Sequence, residues 1–235
     1  MLGEILLRAG FAQRMYDAMA KWLSWLPGGL MHANIGASTV FAATSGSSVA
    51  TAATVGTVAL PQIKRFGYHE PLFLGSIAAG GTLGILIPPS INLVIYGVLT
   101  NTSVPKLYLA GILPGLLAAL SFMLLIIAVC VWRPAWGGEP VRASWGERLR
   151  SLVHLLPPMF IFLLVVGSIY AGLATPTEAA ALGVVGALLL ALAFRRVSWQ
   201  MLREVAENTM RSTAMIMLIV VAASFLNFVM SSIGL

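Results

Sequence analysis

The chain of 235 residues is 59% hydrophobic and only 9% charged, with a mean hydropathy of +0.92, whereas ordinary soluble domains carry about 25% charged residues. That composition identifies an integral membrane protein and excludes intrinsic disorder, a primary role in nucleic-acid binding, and collagen-like or coiled-coil repeats. The excess of 14 basic over 8 acidic residues, a formal net charge of +6, therefore speaks to topology, and the single Cys130, set in an apolar run, leaves no disulfide framework or Cys-based zinc site.

Residues 1–29 read as an amphipathic interfacial arm. Phe11, Met15, Met19, Trp22 and Leu26 share one helical face, and Arg14, Asp17, Lys21 and Ser24 the other. A bracing arm at the membrane surface and a helix packed on the rest of the protein both satisfy that pattern. Apolar stretches then run over residues 30–60, 72–99, 107–132, 152–171, 177–194 and 212–230. The last four each suit one crossing of a hydrocarbon core of about 30 Å. The first two are too long: as straight helices they would measure roughly 46 and 42 Å, so each is expected to be broken, tilted or folded back.

The basic residues suggest how the first one folds. The segments between spans carry Lys64 and Arg65; then Lys106 alone; then Arg133, Arg142, Arg148 and Arg150; then Arg195, Arg196, Arg203 and Arg211. Placing the basic-rich segments in the cytoplasm gives a strong positive-inside bias, with residues 133–151 as a cytoplasmic loop. Arg8, Arg14 and Lys21 send the N-terminal segment to the same side. Residues 30–60 then enter and leave on one face as a re-entrant hairpin, whose halves of about 14 residues reach about 21 Å. The alternative is one tilted span with the N-terminus outside.

Gly, Ser, Thr and Ala fill 18 of the 22 positions over residues 36–57, centred on Thr44-Ser45-Gly46-Ser47-Ser48. Small residues allow close helix approach, and hydroxyls satisfy backbone groups freed where a helix breaks inside protein. A tightly packed Ser/Thr-rich helix pair without a ligand is the plainer reading. The second long run contains Gly80-Gly81-Thr82-Leu83-Gly84, then Ile87-Pro88-Pro89-Ser90-Ile91-Asn92. Tandem prolines remove two amide donors in mid-span and predict, within residues 61–132, a broken transmembrane helix and the span that follows it. Broken helices are where secondary transporters hold ions and solutes, although a proline kink with no site would look similar.

Other features are less distinctive. Thr175-Pro176-Thr177-Glu178 reads as an N-cap, a first-turn proline and a capping-box glutamate rather than a proton relay. His32, His69 and His154 form no close-spaced ligand pair. A serine nucleophile among Ser45, Ser47 and Ser48 lacks a base at comparable depth, so no enzyme activity is expected. No phosphate-binding loop of the GxxxxGK[ST] type occurs. Neither the hairpin nor the broken span contains a carboxylate, which disfavours proton coupling through one. Neutral oxygens suit sodium instead. The candidate ion and solute site comprises Ser45, Gly46, Ser47, Ser48, Gly81, Thr82, Gly84, Pro88, Pro89 and Ser90 with backbone carbonyls, and Asn34 and Asn92 as further oxygen donors.

These residues resemble a known family. Leu26-Pro27-Gly28-Gly29, Ala33-Asn34-Ile35, Thr44-Ser45-Gly46-Ser47-Ser48-Val49-Ala50, Gly81-Thr82-Leu83-Gly84-Ile85-Leu86-Ile87-Pro88-Pro89-Ser90, Gly111-Ile112-Leu113-Pro114-Gly115 and Gly172-Leu173-Ala174-Thr175-Pro176-Thr177-Glu178 look like the large membrane subunit of tripartite ATP-independent periplasmic (TRAP) transporters. The resemblance implies an all-α polytopic fold in the inner membrane, one half of an inverted-repeat elevator transporter. It implies sodium as coupling ion, no other cofactor, and uptake of small organic acids such as dicarboxylates. The implied partners are a periplasmic substrate-binding protein, a small membrane subunit and membrane lipid, with no nucleic acid. It places ions and solute at the hairpin tip and the broken helix. Members of the family carry two such halves in a longer chain, so this sequence, with residues 152–235 as three further spans, is expected to lack the second repeat, to be truncated at both ends and not to transport alone. A channel or a non-transporting scaffold module is the competing reading.

Overall fold

The computed structural model describes residues 1–139, 141 and 143–233; Arg142, one of the basic residues counted for topology, lies outside them. The fold is all-α, with no strand among the described residues. Two short helices, α1 (Leu2–Arg8) and α2 (Phe11–Leu23), precede α3 (Leu30–Ser45) and α4 (Ser48–Phe66). They are followed by α5 (Glu70–Leu86), α6 (Ile91–Leu99) and α7 (Val104–Trp132). The chain continues through α8 (Trp145–Ser151), α9 (Leu156–Tyr170), α10 (Pro176–Ala193) and α11 (Trp199–Ser232).

Local chemistry sets the breaks. Helix α3 stops at Gly46, whose φ of 63° is left-handed and whose N–H closes the last turn on the Ala42 carbonyl at 3.0 Å. Ser47 then caps α4, its Oγ accepting the Ala50 N–H at 3.3 Å. The returning chain brings Tyr68 to the start of α3, where its hydroxyl accepts the Leu30 N–H at 2.8 Å. Helices α3 and α4 thus form a hairpin closed at its base. Burial pushes the Tyr68 hydroxyl up to about 12, against the opposing effect of its bond to Leu30, so it stays protonated. Helices α5 and α6 are bent by 42° across residues 87–90, where Pro88 and Pro89 lie.

Four helical stretches, Val104–Trp132, Trp145–Tyr170, Pro176–Ala193 and Trp199–Ser232, are long and apolar enough to cross a membrane, and the bent α5 and α6 pair makes a fifth if it counts as one span. The start of α10 carries the expected capping box: the Glu178 carboxylate accepts the Thr175 N–H at 2.8 Å, and Thr175 Oγ1 accepts the Glu178 N–H at 3.4 Å.

The structure departs from the sequence reading in three places. Residues 1–29 are not one arm: Gly10, at φ 77°, separates α1 from α2. Phe11 and Met15 of α2 are buried against the protein, with Phe11 meeting Phe194 edge to face at 5.3 Å. The loop over residues 133–151 is folded back as a strap. In it the Glu139 N–H donates to the Phe66 carbonyl at 2.9 Å, Ser24 Oγ to Val141 O at 2.6 Å, and Trp22 Nε1 to Arg148 O at 3.1 Å. Residues 199–211, expected between spans, form the first turns of α11. Ser198 caps them, and the i,i+4 pairs of Gln200 with Glu204 and Arg203 with Glu207 run along them at 2.9 and 2.8 Å.

Candidate functional site

The hairpin tip rests on the α5 and α6 break. Ile91 N–H donates to the Gly46 carbonyl at 3.1 Å, and a Cβ on Gly46 would collide with the Pro89 carbonyl oxygen. On α5, a Cβ at Gly84 would lie 2.8 Å from Ser47 C, Ser47 O and Ser48 N, and one at Gly81 would lie 2.7 Å from the Ala52 Cβ. Glycine is required at these positions because backbone meets backbone or a neighbouring helix there. Ser90, 1% exposed, turns its hydroxyl back onto the Ile85 carbonyl at 2.7 Å instead of capping α6, which satisfies an acceptor freed by the proline break.

Within the tip, three oxygens converge. Ser45 Oγ lies 3.0 Å from Thr51 Oγ1 and 3.5 Å from the Ser47 carbonyl, and Thr51 Oγ1 donates to that same carbonyl at 2.7 Å. A cluster of neutral hydroxyl and carbonyl oxygens, without a carboxylate, has the chemistry that holds a hard monovalent cation. The tip also forms one wall of a cavity of about 450 Å³, which Ser45, Gly46, Ser47, Ser48 and Asn92 line on one side. Its other wall is α11, with Asn208, Thr209, Arg211 and Ser212, and Glu4 of α1 closes an edge.

Ser45, Gly46, Ser47, Ser48, Gly81, Gly84, Pro89 and Ser90 therefore meet at one junction, with buried Pro88 in the same break and Asn92 on the adjoining cavity wall. Two candidates stand apart. Asn34 is fully buried about 16 Å down α3 from Ser45, where its Oδ1 accepts from the Tyr16 hydroxyl and its Nδ2 donates to Ser76 Oγ, both at 2.8 Å. Its amide ties α2, α3 and α5 together and has no free oxygen aimed at the tip. Thr82 is exposed and donates to the Ala79 carbonyl of its own helix at 2.6 Å; it lies one position from Gly81, on a different face. Thr51 and Arg211 are the residues the sequence reading passed over. The hydroxyl spacing from Ser47 to Thr51, one helical turn, pointed to the first, and the polar residues Asn208, Arg211 and Ser212 at i, i+3 and i+4 pointed to the face of α11 that lines the cavity.

The sequence matches the tripartite ATP-independent periplasmic transporter, DctM component, over residues 1–235. The chain belongs to the DctM family. The ectoine/5-hydroxyectoine TRAP transporter large permease protein UehC of Ruegeria pomeroyi is 36% identical over 97% of this chain and 53% of its own length. The C4-dicarboxylate TRAP transporter large permease protein DctM of Pseudomonas aeruginosa is 37% identical over 98% of this chain and 54% of its own. The sialic acid TRAP transporter large permease protein SiaM of Vibrio cholerae is 32% identical over 97% and 53%. The chain spans about half the length of the curated relatives it matches. DctM proteins are transporter permeases and not enzymes, and the apolar helices make this chain a multi-pass inner-membrane protein.

Proposed function

We propose that this chain forms the ion-binding half-site of a sodium-coupled TRAP permease that takes up small organic acids handed over by a periplasmic binding protein. In this reading a small membrane subunit and surrounding lipid complete the scaffold, and the hairpin with its broken helix moves as one body in an elevator step. The N-terminal segment faces the cytoplasm, in keeping with the distribution of basic residues. Dicarboxylates are the favoured solute class, supported by the named cargo of the Pseudomonas aeruginosa relative.

The observation that carries the reading is the trio of Ser45 Oγ, Thr51 Oγ1 and the Ser47 carbonyl, held at a hairpin tip docked on a double-proline break. Sodium bound there would bridge hydroxyl and carbonyl oxygens. It would lock the tip against α5 and so couple ion occupancy to closure over the cavity.

The test is Thr51→Val in the native permease, reconstituted with its binding protein under an imposed sodium gradient. The half-saturating sodium concentration for uptake should rise about tenfold, as expected for losing one oxygen ligand, with membrane insertion unchanged. Uptake by the unaltered protein that ignores sodium would overturn the reading. Orientation is checked separately: cysteines at positions 103 and 144 should label from the periplasm and the cytoplasm respectively.

A further inference from the structure

The cavity facing the hairpin tip carries a charge that the sodium chemistry does not use. Arg211 lies on its α11 wall, about 18 Å along the helix from Trp199, opposite Ser45 and Ser48. The residue is exposed and open to that space. Its neighbours are already engaged. Glu4 of α1 pairs with Arg8 at 3.5 Å and accepts from Asn208 Nδ2 at 3.3 Å. Glu204 pairs with Arg8, and Glu207 pairs with Arg203 at 2.8 Å and also feels the Arg211 charge one turn further along α11. Among the described residues Arg211 makes no ion pair. Two residues away on the same wall, Thr209 Oγ1 is buried without a hydrogen-bond partner among them.

We propose that Arg211 is the anion-recognising residue of this cavity, receiving a carboxylate group of the solute with Thr209 as a second donor. A guanidinium presents paired N–H donors that match a carboxylate fork, and the serine hydroxyls of the facing tip line the space the rest of the solute would occupy. The assignment rests on the transport reading for the identity of the anion, and on the cavity alone for its charge preference. Glu4, at the edge formed by α1, sets the opposite sign, so anion preference depends on the balance of these two groups.

The experiment needs no knowledge of the solute. Val49, which is 69% exposed and lines the cavity, is replaced by cysteine in a Cys130→Ala background of the native permease in membranes. Its rates of modification by an anionic sulfonatoethyl and a cationic trimethylammonium-ethyl methanethiosulfonate are then compared. The anionic-to-cationic rate ratio should fall about tenfold on adding Arg211→Gln, and Arg211→Lys should keep most of it. Should Arg211→Gln not reach the membrane, Glu4→Gln serves in its place and should raise the ratio. A ratio unmoved by these changes would overturn the assignment. A ratio that falls in a permease showing no sodium-driven uptake would keep the anion site and reject the transport reading; normal sodium-driven uptake with an unmoved ratio would do the reverse.

Discussion

The hairpin of α3 and α4 and the long helix α11 both belong to one membrane protein, yet they are built on opposite rules. Every residue over 30–38 is buried, with Ala33, Gly36, Ala37 and Ser38 set among the larger Leu30, Met31 and Ile35. In α11 the most apolar stretch has no buried residue, and Leu218, Val221, Phe225 and Phe228 are 65–71% exposed. In water this arrangement would be inside out. In lipid, hydrophobicity does not choose what is buried, because acyl chains are as apolar as leucine; close packing and internal hydrogen bonds choose instead. The hairpin is interior because its small residues let Gly80 and Gly81 of α5 approach within contact of Ser38 and Ala52. Helix α11 is exterior because its branched and aromatic side chains admit no such approach.

That contrast is most sharply broken at Gly84. Even Ala there places a Cβ 2.8 Å from three backbone atoms of the tip. Overpacking of this kind costs about 1–3 kcal/mol, so Gly84→Leu should cut sodium-driven uptake by more than tenfold while leaving insertion intact. Near-normal uptake would mean that the tip does not work against α5. Asn34→Ala comes next. It strands the Tyr16 hydroxyl in the interior and removes the donor to Ser76 Oγ, which keeps its own bond to the Phe73 carbonyl, and should lower stability by about 1–3 kcal/mol in denaturant titrations. The half-saturating sodium concentration should stay within about twofold, which separates a packing residue from an ion ligand.

A smaller effect is expected at the hairpin base. Tyr68→Phe removes the acceptor of the Leu30 N–H and should cost about 1 kcal/mol, read as a lowered unfolding midpoint. At the lipid-facing end of the scale, Leu124 of α7 is 65% exposed, and Leu124→Ala should change stability by less than about 0.5 kcal/mol. A loss comparable to that of Asn34→Ala would show that α7 packs on protein at this position and would move it to the interior class.

The sequence by itself determined the membrane class, a hairpin tip centred on residues 44–48, the break at Pro88 and Pro89, and the capped start of α10 at Thr175. Each of these is written in composition or in the chemistry of a few adjacent residues: small and hydroxyl side chains, a missing donor, a hydroxyl within reach of an amide. Only the tertiary structure decided which side chains share a space. It turned Asn34 into a tie between three helices and left Thr82 on an outer face. It brought Thr51 into the oxygen cluster and drew Arg211 out of a supposed loop to face the hairpin tip. Those outcomes depend on how far each helix rotates and how closely its neighbours approach. That is set by contacts between segments far apart in the chain, which composition and local spacing alone do not specify.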